Sequence, residues 1–255
     1  MKYKVGDIVT RNSYNNDIIF KIVEIKDSVC YLKGLNTRLI ADANASDLRL
    51  YDSNEDIENE ETFNERIKET INLDRDDYFY LPGRILHIDG DSDYLNRCLE
   101  YYKLNNINAI GVNESEENLA KNIRTLLKEY TPDIVIITGH DAYYRKNGLY
   151  KNSSNFINAV KEARKYESSH DKLIIIAGAC QSNYEELIKA GANFASSPKR
   201  INIHALDPAI IATKISLLET SKDIDLKDIL EKTKYGSAGI GGISTKGTMH
   251  VGYPR

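Results

Sequence analysis

From Arg84 onward the chain alternates short, wholly apolar β-branched runs with segments of helical length, and this pattern constrains the fold more than any other feature. Ile134-Val135-Ile136-Ile137 and Leu173-Ile174-Ile175-Ile176 carry no polar residue. A strand with one wet face alternates polar and apolar side chains, whereas an unbroken apolar run suits a parallel sheet covered on both faces. The pattern predicts strands at Ile85–Asp89, Ala109–Val112, Asp133–Thr138 and Leu173–Ala177, with a weaker one at Ala192–Ala195. Helices are expected to run to about Leu104 and about Tyr130, then over Phe156–Tyr166, Glu185–Ala190 and Asp207–Glu219. Strands alternating with helices imply βαβ units, hence an α/β fold with a doubly wound, mostly parallel sheet.

Two other textures flank this region. Residues 1–50 hold short β-branched runs at Asp7–Thr10, Ile18–Ile25 and Val29–Leu32, separated by polar turns such as Ser13-Tyr14-Asn15-Asn16-Asp17. With the opening Val5-Gly6-Asp7-Ile8-Val9, this predicts a small SH3-like or KOW-like β-barrel acting as an accessory module. Residues 51–80 form an acidic linker, with eleven Asp or Glu against three Lys or Arg between Asp52 and Asp77. Phe63, Ile67 and Ile71 recur every four residues there and predict a short one-sided helix. At the other end, Gly236–Arg255 holds six glycines and reads as loop or hairpin. Its Gly239-Ile240-Gly241-Gly242 lacks the GxxxxGK[ST] pattern of a phosphate loop.

The totals exclude several classes of function. A net charge of -4 gives no general attraction to nucleic acid or an anionic membrane. No apolar run approaches the roughly 20 residues that span a bilayer, and the N-terminus lacks the apolar core of a signal peptide. Cys30, Cys98 and Cys180 lie far apart, which suggests neither a disulfide framework nor a metal knuckle. A cytosolic protein with reduced thiols, no metal and no cofactor is expected.

In an open parallel sheet, functional groups gather beyond the carboxyl ends of the strands. That rule selects His87-Ile88-Asp89-Gly90-Asp91, Thr138-Gly139-His140-Asp141 and Ala177-Gly178-Ala179-Cys180-Gln181. A histidine and a cysteine thus finish two consecutive apolar strands, forty residues apart, with small residues beside them. A thiol with a pKa of about 8.5 is mostly protonated at neutral pH, and a neighbouring imidazole can take its proton and later protonate a leaving amine. Backbone N–H groups of Asp141 and Cys180, at the strand-to-helix turns, are candidates for an oxyanion hole.

An apolar block ending in histidine beside glycine, followed by one ending in Ala-Cys, resembles the caspase-like cysteine peptidases. Ile137-Thr138-Gly139-His140-Asp141-Ala142-Tyr143-Tyr144 and Ala177-Gly178-Ala179-Cys180-Gln181-Ser182, with the barrel-like start, further resemble the YabG sporulation-specific peptidases of spore-forming Firmicutes. The resemblance covers nearly the full length and makes residues 81–255 a caspase-like peptidase domain. It implies a cysteine endopeptidase with His140 as general acid and base and Cys180 as nucleophile, cutting after arginine. Its implied substrates are spore coat and assembly proteins, in the mother-cell cytoplasm, with retention in the spore coat a further expectation. Two departures from the wider pattern stand out. Glycine precedes His140 instead of following it, which makes Asp141 the oxyanion donor after the histidine, and position 178 is Gly where an acidic or amide residue often lines the specificity pocket. Asp89 and Asp91 are therefore the candidates for binding a guanidinium, against the alternative that they cap the following helix. Arg66 and Arg75 in the acidic linker are candidate self-cleavage points.

Two other readings remain open on the residues. Gly178-Ala179-Cys180-Gln181-Ser182 resembles the nucleophile elbow of class I glutamine amidotransferases, in which His204 would be the base, although Ala205 and Leu206 follow it instead of the usual Glu. A non-enzymatic receiver-like binding domain would use Asp89 and Asp91 with Asp141, and would need a Lys near the later strands, where Lys199 is the first.

Overall fold

Six strands form the main sheet, and the apolar runs are its centre. In the computed structural model, which describes residues 3–51 and 77–254, the chain divides into two units, Met1–Glu65 and Arg66–Arg255. The acidic residues 52–76, with the helix expected on Phe63, Ile67 and Ile71 and with Arg66 and Arg75, lie outside the described residues.

In the first unit, β1 (Ile8–Arg11), β2 (Phe20–Lys26), β3 (Val29–Gly34), β4 (Ile40–Asn44) and β5 (Leu48–Leu50) make an antiparallel sheet in the order β4-β3-β2-β1-β5. Period-two alternation turns Phe20, Ile22, Cys30 and Leu32 inward onto Val9 and Leu48. Among the described residues, β5 pairs only with β1, and no ladder joins it to β4.

The second unit begins with β6 (Phe79–Leu81). Then come β7 (Ile85–Asp89), α1 (Ser92–Leu104), β8 (Ala109–Asn113), α2 (Leu119–Tyr130) and β9 (Ile134–Thr138). The two-residue strands β10 (Tyr143–Tyr144) and β11 (Leu149–Tyr150) form a hairpin before α3 (Ser153–Tyr166) and β12 (Ile174–Ala177). The remainder is α4 (Tyr184–Ala190), β13 (Phe194–Ser196), α5 (Asp207–Ser216), α6 (Leu226–Glu231), β14 (Ile240–Gly242) and β15 (His250–Gly252). The sheet order is β8-β7-β9-β12-β13-β14, parallel throughout except for β14. Counted along the chain this is a 2-1-3-4-5 doubly wound arrangement, with its switch point between β7 and β9.

Strand residues alternate between two dry faces. Leu86, Ile88, Val135, Ile137, Ile175 and Ala177 pack with Leu119, Ile123 and Leu127 of α2 and Phe156, Val160 and Ala163 of α3. His87, on the opposite face of β7, meets Tyr102 of α1. Both faces being covered explains why these strands carry no polar alternation. Truncating one of these isoleucines to Ala would cost about 2–5 kcal/mol.

Two C-terminal expectations are corrected. The glycine-rich segment is loop only in part: Gly241 and Gly242 of β14 pair with Ala195 and Phe194, and irregular backbone follows from Ile243. A Cβ on Gly242 would lie 2.3 Å from the Phe194 ring, so this edge strand requires glycine. β15 pairs instead with β6, which the sequence reading missed. Helix α5 ends at Ser216, short of Glu219, because the carbonyls of Ile215, Ser216 and Leu218 accept from Thr248, Gly83 and Met249.

Candidate active site

Strand register brings the two loops together. Ile137 of β9 pairs with Ala177 of β12, and His140 and Cys180 each lie three residues beyond that pair. The contact continues past the strands, as Gly178 N donates to Ile137 O at 3.0 Å, Ser182 Oγ to Asp141 Oδ2 at 2.9 Å and Tyr143 N to Gln181 Oε1 at 3.2 Å.

The cysteine turn is conformationally unusual. Gly178 has φ +105° and Gln181 φ +59°, so Cys180 sits between two left-handed residues. For the non-glycine Gln181 that conformation costs on the order of 1–3 kcal/mol. The surroundings hold it: Gln181 N donates to Ile201 O and to Ser197 Oγ, both at 3.1 Å, and Gln181 Nε2 to Asn202 Oδ1 at 3.2 Å. Cys180 is fully buried, and its Sγ accepts the Ile203 N–H at 3.3 Å. The thiol in turn donates to the Ile203 carbonyl at 3.9 Å. The segment 197–203 thus lies across the thiol.

His140 is set among carboxylates. Its Nε2 lies 3.6 Å from Asp91 Oδ2 and its Nδ1 3.8 Å from Glu116 Oε1, with the Tyr94 ring beside it. The His140 N–H donates to Glu116 Oε1 at 2.7 Å, and its carbonyl accepts from Asn152 Nδ2 at 2.8 Å. Nε2 is buried and has no hydrogen-bond partner among the described residues. Among the described residues the ring makes no hydrogen bond to Cys180; the two groups occupy adjacent loops, the ring turned to the switch point and the thiol to Ile203.

Glu116 is the residue that sequence reading missed. It follows β8, whose carboxyl end lies on the same edge of the sheet, so the rule that selected His140 also pointed to Glu114-Ser115-Glu116. Its carboxylate lies in a slot between two backbones: a Cβ on Gly90 would come within 2.6 Å of Oε1, and one on Gly139 within 2.5 Å. Burial alone would raise this carboxyl, but hydrogen bonding to the His140 side chain and backbone outweighs it and holds the group below the usual carboxylate range.

The first-strand aspartates have structural partners. Asp89 is fully buried; Oδ1 accepts the Asp91 N–H at 2.9 Å and Oδ2 the Thr138 hydroxyl at 2.7 Å, with His87 Nε2 at 3.7 Å. Asp91 caps α1 by accepting from Asp93 N and Tyr94 N through Oδ1, leaving Oδ2 toward His140. The N–H of Asp141 meets no acceptor among the described residues, whereas its carboxylate is saturated with donors. His204 is buried, and its Nδ1 accepts the Leu206 N–H at 3.2 Å. That bond fixes the proton of a neutral ring on Nε2, the wrong tautomer for a base acting through that atom. Among the described residues no cluster of His, Cys, Asp and Glu could hold a metal ion, and no helix is long and apolar enough to cross a membrane.

The YabG peptidase U57 family model matches residues 4–254. The chain is 39% identical, over a 286-residue alignment covering 100% of it and 99% of the relative, to the sporulation-specific protease YabG of Bacillus subtilis (strain 168). On a match of that extent, the amidotransferase and receiver readings give way to proteolysis, and the chain belongs to the YabG family of sporulation-specific proteases.

Proposed function

We propose that this protease is a cysteine endopeptidase in which Cys180 attacks the scissile carbonyl and His140 moves the proton. The observation that carries the reading is the equivalent placement of the two residues, each three positions beyond the paired Ile137 and Ala177 on neighbouring parallel strands. The 2-1-3-4-5 order supports a caspase-like catalytic unit, and the N-terminal order β5-β1-β2-β3-β4 supports a small SH3-like barrel.

In the proposed cycle His140 takes the Cys180 proton, and the thiolate adds to the peptide carbonyl. The Asp141 N–H, which meets no acceptor among the described residues, stabilises the oxyanion together with the Cys180 N–H. His140 protonates the leaving amine, and water then releases the acyl group with the same imidazole as base. Glu116 acts as a positioning residue, holding the His140 backbone and facing Nδ1. Substrate entry displaces segment 197–203 from above the thiol, and the ring swings from Asp91 toward it. Catalytic contacts of this kind commonly tighten only when substrate is bound.

Cleavage after arginine remains part of the proposal. Asp89 is committed within the fold, so the guanidinium-binding role passes to Asp91, whose Oδ2 lies 3.6 Å from His140 Nε2. Spore coat and assembly proteins in the mother cell are the proposed substrates, in keeping with the sporulation-specific relative. The test is single substitution: Cys180→Ala and His140→Ala each abolish cleavage of an arginine-containing peptide, while Cys30→Ala and Cys98→Ala do not. Turnover by either of the first two near the wild-type rate rules the dyad out.

A further inference from the structure

We infer that the buried carboxylate of Asp141 is a positioning residue that clamps the histidine loop to the cysteine loop and so sets the spacing of the two catalytic groups. The inference rests on the cysteine-peptidase reading above, but its support is a separate set of contacts. Asp141 Oδ1 accepts two backbone N–H groups of its own side of the crevice, Ala142 at 2.8 Å and Asn152 at 2.7 Å. Oδ2 accepts two hydroxyls, that of Ser153 in a short bond and that of Ser182 at 2.9 Å.

Each hydroxyl relays the connection into the cysteine loop. Ser182 Oγ accepts the Ala179 N–H at 2.9 Å, so the residues immediately before and two after Cys180 hang on it. Ser153 Oγ accepts the Asn183 N–H at 2.9 Å. One carboxylate thereby fixes the residue following His140, the first turn of α3, and both ends of the left-handed turn that carries Cys180. Four donors converge on two oxygens, and a carboxylate accepts all four; an amide in its place would force both buried hydroxyls to turn their hydrogens elsewhere. Among the described residues no cation pairs with this buried carboxylate, and its place at the N-terminus of the fourteen-residue α3 supplies a favourable dipole.

A clamp of this kind makes a specific kinetic demand. Loosening it leaves the peptide-binding surface in place but lets the thiol and imidazole drift apart, and a misplacement of about 1 Å lowers turnover roughly 100-fold. The experiment compares wild type, Asp141→Asn, Ser182→Ala and the double variant for kcat and KM on one arginine-containing peptide. It adds the rate at which iodoacetamide labels Cys180, measured by peptide mapping well below each Tm. Expected are a fall of about 100-fold in kcat with KM within about 2-fold in both single variants, and a double variant no worse than the poorer single, since both sever the same link. The labelling rate of Cys180 changes in parallel. Wild-type kcat in Ser182→Ala, losses confined to KM, or losses that multiply in the double variant each overturn the clamp. If Asp141→Asn does not fold, Ser182→Ala decides alone, because it removes one hydroxyl and leaves the carboxylate three donors. Cys180→Ala, run in parallel, separates the two levels: an active Cys180→Ala protein refutes the cysteine-peptidase reading itself, whereas an inert one beside a fully active Ser182→Ala refutes only the clamp.

Discussion

Adding a single methyl group at Gly139 tests whether Glu116 positions His140. Gly139 is not in the left-handed region, so alanine is compatible with its backbone. An ideal Cβ there lies 2.5 Å from Glu116 Oε1, whereas ordinary contact begins at 3.4 Å. The carboxylate must therefore withdraw by about 0.9 Å, which stretches its 2.7 Å bond to the His140 N–H to about 3.6 Å, beyond hydrogen-bonding range. Because the displaced atom is the end of a flexible side chain, the cost to stability stays within about 1.5 kcal/mol. The cost to turnover, from a displaced imidazole, is about 100-fold. The assay is kcat/KM on an arginine-containing peptide together with Tm, in wild type, Gly139→Ala, Glu116→Ala and the double variant. With the carboxylate gone the methyl has nothing to displace, so Gly139→Ala in the Glu116→Ala background costs less than about 3-fold. Wild-type turnover in Gly139→Ala, or an equal loss in both backgrounds, refutes the reasoning.

Three other outcomes can be measured on the same protein. The Glu116 carboxyl is held below its unfolded value of about 4.3, so its stabilising contribution is complete above that pH and is lost as pH falls through the folded-state value. The Tm gap between wild type and Glu116→Gln therefore narrows from pH 7 toward pH 3, and a pH-independent gap contradicts this. Among matched peptides carrying Arg, Lys or Gln before the cleaved bond, Asp91→Asn selectively weakens cleavage of the Arg peptide; equal losses on all three would make Asp91 only a cap of α1. On storage, wild-type protein separates into an N-terminal and a catalytic fragment by cleavage at Arg66 or Arg75 while Cys180→Ala stays whole by intact mass, and a wild type that keeps its full mass for days excludes self-cleavage.

The parallel sheet was legible because burial on both faces writes itself into the chain as unbroken apolar runs, and Ile85–Asp89 appears at the boundaries expected. His140 and Cys180 were singled out because functional groups gather at strand ends, and the structure puts both just past neighbouring strands. Their equal register was not legible, since pairing between β9 and β12 is a tertiary fact that neither run encodes alone. Glu116 was hidden in a polar turn whose charge looks like any solvated loop; only the glycines at 90 and 139 hint that something must approach closely, and they do so from distant segments. Asp141 was read for its backbone N–H, while its side chain turned out to join elements up to forty-one residues apart. The C-terminal glycines were misread because glycine signals freedom in a sequence, whereas in β14 it makes room for the Phe194 ring. The short strands of the first unit were legible from their β-branched runs, whereas their order, with β5 beside β1, is set by pairing that no single run encodes.

The central claim is that Cys180 is the nucleophile, and inactivation by iodoacetamide with simultaneous peptide mapping tests it most directly. Cys30 and Cys98 are buried within the sheet and helix cores, whereas Cys180 is covered by the 197–203 segment. The account predicts that activity falls in step with one carboxamidomethyl group on Cys180, with Cys30 and Cys98 unmodified. Full activity in protein alkylated at Cys180, or complete inactivation while Cys180 remains a free thiol, would contradict it.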